Sequence, residues 1–213
     1  MDISQKIKDD ILNNRLPRGV PLRQNDLSAR YGVSRIPIRD ALLSLKGEGW
    51  LVPNGKAGVM IPDLNWKEAE DLSLMRTELE CLLFDLAFDN IREEDIAEAR
   101  RFLIELNKDN LTLIRRGELN WRFHDALYRA ADRPTLHSIV ERLNKQAVRY
   151  LGFQYGPLGY RKTSENQHQE LLILIESGDK NAALMLLRQH IEVAGRLLTN
   201  YLKNLILNEH SNH

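Results

Sequence analysis

Residues 24–45, QNDLSARYGVSRIPIRDALLSL, set a glycine turn between two short amphipathic stretches, and few arrangements satisfy that pattern. Leu27 and Tyr31 recur at i, i+4 and predict a first helix. Gly32 supplies the permissive backbone of the turn, and Val33 packs between the helices. Ser34 stands where it can cap a second helix, with Pro37 in the first turn, where a missing N–H costs little. Ile38, Leu42 and Leu45 then form an inward stripe at i, i+4, i+7. Arg35 and Arg39 lie one turn apart, off that stripe and near the helix start. A helix-turn-helix presents side chains to a major groove in this way. Paired amphipathic helices with a glycine turn occur in other helical proteins too, so the motif alone leaves DNA binding open.

Residues 47–61, GEGWLVPNGKAGVMI, read as a short strand, a glycine-containing turn and a second strand. A helix-turn-helix followed at once by a hairpin is a winged helix. GVSRIPIRDALLSLKGEGWL closely resembles the GntR family of bacterial transcription regulators, and the likeness runs from about Ile11 to Ile61. The resemblance implies that Arg35 and Arg39 contact bases and phosphates and that Gly58 is the wing-tip glycine, with Asn25, Ser34 and Lys56 completing the candidate DNA contacts. Two residues depart from the family pattern. Arg23 replaces a common capping Ser or Thr, and Gln24 replaces the usual Glu, so the start of the first helix is expected to be poorly capped.

Net charge over the 213 residues is zero, but it is unevenly spread. Residues 1–64 carry 10 Lys+Arg against 7 Asp+Glu, or +3; residues 65–213 carry 20 against 23, or −3. Between Arg15 and Lys46 seven basic residues face two acidic ones. Phosphate contact requires a local patch of this kind, whatever the whole-chain sum. The single cysteine, Cys81, excludes an intrachain disulfide framework and a Cys-based zinc finger; its apolar surroundings predict a buried small hydrophobe. With no apolar signal core and no run approaching a membrane span, a cytoplasmic protein is expected.

An opening helix over 2–14 carries Ile3, Ile7 and Ile11 on one face. Two domains follow from the pattern: a winged helix over 1–64 and an all-helical antiparallel bundle over 65–213, making a mainly α fold. Asn65 and Glu68 predict a capping-box start to a helix over 66–88, with Leu72, Met75, Leu79, Leu82, Leu83 and Leu86 at helical spacing. Asn90 with Glu93 opens a second, reaching about Asn107. Further helices are predicted over 111–131, from Arg133-Pro134 to about Phe153, over 160–177, and from Lys180 to about Leu207.

Three of the six histidines sit within helices among apolar neighbours: His124, His168 and His190. They can converge on one ion, with the amide oxygen of Asn120 one turn before His124 as a fourth contact, or they can be three separate core histidines. Residues 66–205 resemble the FCD domain, the helical effector domain of one GntR subfamily. LMRTELE at 74–80, FHDALYRAA at 123–131 and SENQHQELLILIESGDKNAALMLLRQHI at 164–191 carry the likeness. It implies a divalent ion, zinc or nickel, on three His and one Asp. The His positions match His124, His168 and His190; the Asp position is Asn120 here. A neutral amide costs the site one negative charge and favours an anionic effector on the metal.

Arg76, Arg149 and Tyr150 are expected to line the effector cavity, a buried Arg being a natural carboxylate clamp; for Arg76 an i, i+4 pair with Glu80 is the alternative. The function expected is a homodimeric regulator that binds a palindromic double-stranded operator and responds to a small carboxylate. A metal-dependent hydrolase, or a DNA-binding dimer with a degenerate metal-free pocket, are the other readings.

Overall fold

The computed structural model describes residues 2–55 and 58–211. The chain divides into two compact units, 1–64 and 65–213.

In the first unit α1 spans Ile3–Leu12, β1 Pro21–Leu22, α2 Gln24–Tyr31, α3 Arg35–Gly47, β2 Val52–Pro53 and β3 Val59–Met60. Gly32 ends α2 in the left-handed conformation, φ 65° and ψ 35°, which turns the chain into α3. Ile7 and Ile11 of α1, Leu27 of α2, and Ile38, Leu42 and Leu45 of α3 bury together. Asp10 ties α1 to α2 by accepting from Arg30 Nε (2.9 Å) and the Tyr31 hydroxyl (2.9 Å). The wing is more than the predicted hairpin. β1 joins it as a third antiparallel strand, in the order β1-β3-β2, with Leu22 opposite Val59. Pro53 is tolerated because β2 is an edge.

In the second unit α4 spans Trp66–Phe88, α5 Glu93–Leu106, α6 Leu113–Tyr128, α7 Pro134–Ala147, α8 Leu151–Tyr155, α9 Arg161–Glu176 and α10 Lys180–Ser211. Its core holds Phe84, Phe123, Leu127, Tyr128, Leu172 and Leu187. Asn65 caps α4 through Lys67 N (2.9 Å), but Glu68 does not close the box, because its carboxylate binds Arg149 and Tyr150. α5 begins later than Asn90 suggests: Asp95 accepts from the Arg92 amide (3.0 Å), and Arg92 is the cap. The predicted helix from Arg133 to Phe153 is interrupted by a 3-10 turn at Val148–Tyr150. On α4 the sequence stripe divides: Leu72 and Leu83 are buried, while Met75, Leu82 and Leu86 face solvent. No helix among the described residues is long and apolar enough to cross a membrane. Cys81 is buried, and burial pushes its thiol up to about 11, the opposite of a reactive thiolate.

Candidate nucleic-acid interface and metal centre

In the first unit one concavity of about 630 Å³ is bounded by the start of α2, the outer face of α3 and the wing. Arg23, Asn25, Arg35, Arg39, Lys46 and Gly58 line it, so four cations share one surface. Arg35 is the first residue of α3 and Arg39 follows one turn on; both are exposed. Arg39 leans on neighbouring Asp40 at 3.2 Å, a pair exposed on both sides and therefore weak. Ser34 is the N-cap of α3, with extended backbone, but its hydroxyl makes no capping bond. Arg23 likewise stands at the N-cap of α2 without a side-chain bond. Both helices thus open toward the concavity with first-turn N–H groups that no capping side chain takes, and such groups suit phosphate oxygens. Gly58 sits on the wing at φ 107°, a conformation that disfavours any side chain. Lys56 lies outside the described residues.

In the second unit, among the described residues, one group of three or more potential metal ligands comes together: His124 of α6, His168 of α9 and His190 of α10. All three are buried, and their ligand nitrogens lie within 4.8 Å of one another. His124 Nε2 and His168 Nε2 are 3.2 Å apart. Two nitrogens on one ion with bonds of about 2.0–2.1 Å sit roughly 3.3 Å apart in a tetrahedron, so that spacing fits a shared cation.

Neighbouring groups fix two of the tautomers. His190 Nδ1 donates to Gln167 Oε1 (2.9 Å), which leaves Nε2 with a lone pair. The Tyr128 hydroxyl donates to Glu80 Oε2 (2.9 Å), so its oxygen faces His124 Nδ1, at 3.4 Å, as an acceptor. His124 Nε2 is thereby free as well. His168 Nδ1 is buried with no partner. Without a cation the close Nε2 pair must share one proton; with one, that proton moves to the unpartnered Nδ1, at a cost of about 1–3 kcal/mol.

Burial holds His124 and His168 neutral, well below the usual imidazole range; a proton on any neighbouring imidazole would repel a second, and Arg76 adds to the effect at His124. Burial, with Arg76 nearby, pushes His190 down to about 4. The site is therefore ready for a metal at neutral pH, and protonation competes only well below pH 6.5. The same shifts act on metal-free stability. Above pH 6.5 folded and unfolded imidazoles are both neutral. As the pH falls from 6.5 toward 4 the unfolded chain takes protons that the folded one refuses, so stability drops by roughly 1.4 kcal/mol per pH unit for each imidazole. Urea melts of metal-free protein at pH 7.5, 6 and 5 are expected to show that decline in the second unit. A midpoint that stays flat between pH 7.5 and 5 contradicts it.

Of the predicted effector residues, Arg76 is beside the histidines, but Glu80 holds it: Nε to Oε1 is 2.7 Å. Glu80 is fully buried and also receives Asn144 Nδ2 (2.9 Å) and Tyr128. Arg149 departs from expectation, and Tyr150 does so only in its hydroxyl: both bond Glu68 at the start of α4, Tyr150 donating at 2.6 Å. Arg76 and Tyr150 do border one common cavity, of about 20 Å³, room for a single water. Asn120 is half-buried on α6, one turn before His124. Sequence reasoning missed Gln167, Tyr128 and Asn144; it named Glu80 as the i, i+4 partner of Arg76, which the structure shows, but not its bonds to Tyr128 and Asn144. Gln167 carried a signal, being adjacent to His168, but its role with His190 depends on the α9–α10 packing.

A winged helix with a cationic groove face, joined to a helical unit built around three buried imidazoles, defines a ligand-responsive DNA-binding regulator. The comparisons give the family. The model for bacterial regulatory proteins of the gntR family matches residues 1–61, and the FCD domain model matches residues 71–193. The chain belongs to the GntR family, in the branch that carries an FCD domain. It is similar to the HTH-type transcriptional regulator YdhC of Bacillus subtilis (strain 168), 26% identical over 87% of this chain and 83% of that protein. It is similar also to the HTH-type transcriptional repressor RspR of Escherichia coli (strain K12), 23% identical over 87% and 82%. Among solved structures, a GntR family member from Pseudomonas syringae pv. tomato str. DC3000 superposes with a TM-score of 0.61, 28% identity, and coverage of 97% of this chain and 87% of that one. These relatives are transcriptional regulators, and the hydrolase reading has no counterpart among them.

Proposed function

We propose that the protein is a homodimeric regulator that binds a palindromic operator through Arg35, Arg39, Ser34, Asn25, Gly58 and Lys56, and senses a small carboxylate through a divalent ion on His124, His168 and His190. The observation that carries the sensing half is the convergence of three buried, neutral imidazoles from three helices, two with their tautomers set by Gln167 and Tyr128. The donor set suits zinc or nickel, since imidazole is a borderline-soft ligand. Asn120 is the fourth, weaker contact. With no carboxylate among the ligands the ion keeps its full positive charge, and an anion completes the shell. The name of the similar repressor RspR supports repression as the mode of action.

The 20 Å³ cavity beside Arg76 and Tyr150 is far smaller than an organic acid, so binding must open α4 from α7 and α10. Arg76 then exchanges Glu80 for the ligand carboxylate. The test is Asn120→Asp. A restored negative ligand is expected to tighten zinc binding by tenfold or more, and to weaken the thermal shift given by citrate, malate or similar acids on zinc-loaded protein. Unchanged zinc affinity in that variant removes Asn120 from the site.

A further inference from the structure

Four of the eleven exposed large apolar side chains among the described residues belong to α4: Leu74 (62% exposed), Met75 (43%), Leu82 (47%) and Leu86 (36%). Sequence periodicity assigns three of them to a core, and the chain itself does not cover them. With half-buried Leu79, the residues Met75, Leu79, Leu82 and Leu86 follow the i, i+4, i+7, i+11 spacing of a coiled-coil seam. Met185 of α10 (74% exposed) borders the same face, across a shallow groove that Leu82 also lines.

We infer that this seam of α4 is where two copies of the chain pair, antiparallel about a two-fold axis between residues 80 and 81. The inference rests on the homodimer reading and names its surface.

Three observations select a second copy as the occupant. The seam is self-complementary: reversed about that axis, Met75 meets the other copy's Leu86, and Leu79 meets its Leu82. A two-fold interface requires such reciprocity. The charged edge is already neutralised within the chain, Glu78 by Arg188 at 2.6 Å and Asp85 by Lys180 at 3.0 Å, so burying it strands no charge. The area also fits. At their exposures Met75, Leu79, Leu82, Leu86 and Met185 offer roughly 450 Å² of apolar surface per copy, close to the apolar share of a standard interface of about 800 Å² per partner.

Sedimentation of the full chain at micromolar concentration tests it. Wild type is expected at twice 24.7 kDa, and Leu82→Glu with Leu86→Glu at 24.7 kDa. Ile104→Glu, at a more exposed apolar site on α5 (62%), is expected to stay dimeric. A monomeric wild type overturns the homodimer reading and this one with it. A dimeric wild type whose α4 double variant stays dimeric overturns this surface alone.

Cross-linking keeps the question open to test should the charged variant not fold. On a Cys81→Ser background, Met75→Cys with Leu86→Cys is expected to form a disulfide-linked dimer on oxidation. Either substitution alone is not, because like positions then lie roughly 16 Å apart along the axis at 1.5 Å per residue. No linked dimer from the pair, or equal linking from the singles, contradicts the register.

Discussion

Arg35→Ala and Arg39→Ala each weaken operator binding by about tenfold or more, and the double variant by about a hundredfold or more, while the fold survives. Both side chains project from the first turns of α3 into the 630 Å³ concavity, and neither packs in the core. A bidentate Arg–guanine contact is worth about 1–3 kcal/mol of discrimination, and every 1.4 kcal/mol is tenfold. The bond between Arg39 and Asp40 is too exposed to offset that loss. If an arginine touches phosphate instead, its removal weakens specific and random DNA alike and lowers the salt slope by about one. Mobility shifts at fixed salt, with operator and scrambled duplex, separate the two roles. Wild-type binding by both single variants overturns the assignment of α3 as the recognition helix.

The winged helix was legible because its signals are local. Gly32 has the left-handed turn its position requires, and Ile38, Leu42 and Leu45 read directly as a buried stripe. β1 was not legible, because two residues cannot show alternation, and its pairing with β3 spans some forty residues of chain. In the bundle, helix positions followed from caps and periodicity, but side-chain direction did not always follow. Arg149 and Tyr150 were assigned to the cavity on a continuous helix. The 3-10 turn at Val148–Tyr150 advances each residue by 120° instead of 100°, a lead of roughly 60° over three residues, and the polar ends of both side chains reach Glu68. Met75, Leu82 and Leu86 show the converse limit. Helical spacing identifies an apolar seam, but whether the same chain covers it is a tertiary fact.

The histidine centre lies between these cases. Each imidazole could be placed on its helix from sequence, and resemblance to the FCD domain implied that they meet. The groups that prepare them are separated by long stretches of chain. Glu80 reaches His124 through Tyr128, 48 residues away, and Gln167 holds His190 from 23 residues away. Such partners carry no local pattern. Free imidazoles would lose metal near pH 6.5; burial in this pocket moves the acid limit well below that value.

The largest effect on sensing is expected from His168→Ala. It removes one of three protein nitrogens; losing a group that merely hydrogen-bonds a metal ligand commonly costs about 10–100-fold in metal affinity, so the loss here is at least about a hundredfold. His168 and the α3 arginines belong to different compact units, so basal operator binding is expected to persist while the response to carboxylates disappears. The most direct measurement is a calorimetric zinc titration of chelator-stripped protein at pH 7.5, repeated on His168→Ala. One zinc per chain for wild type, with the heat lost in the variant, is the predicted result. Zinc bound equally by both proteins, or by neither, contradicts a metal-borne effector site at His124, His168 and His190.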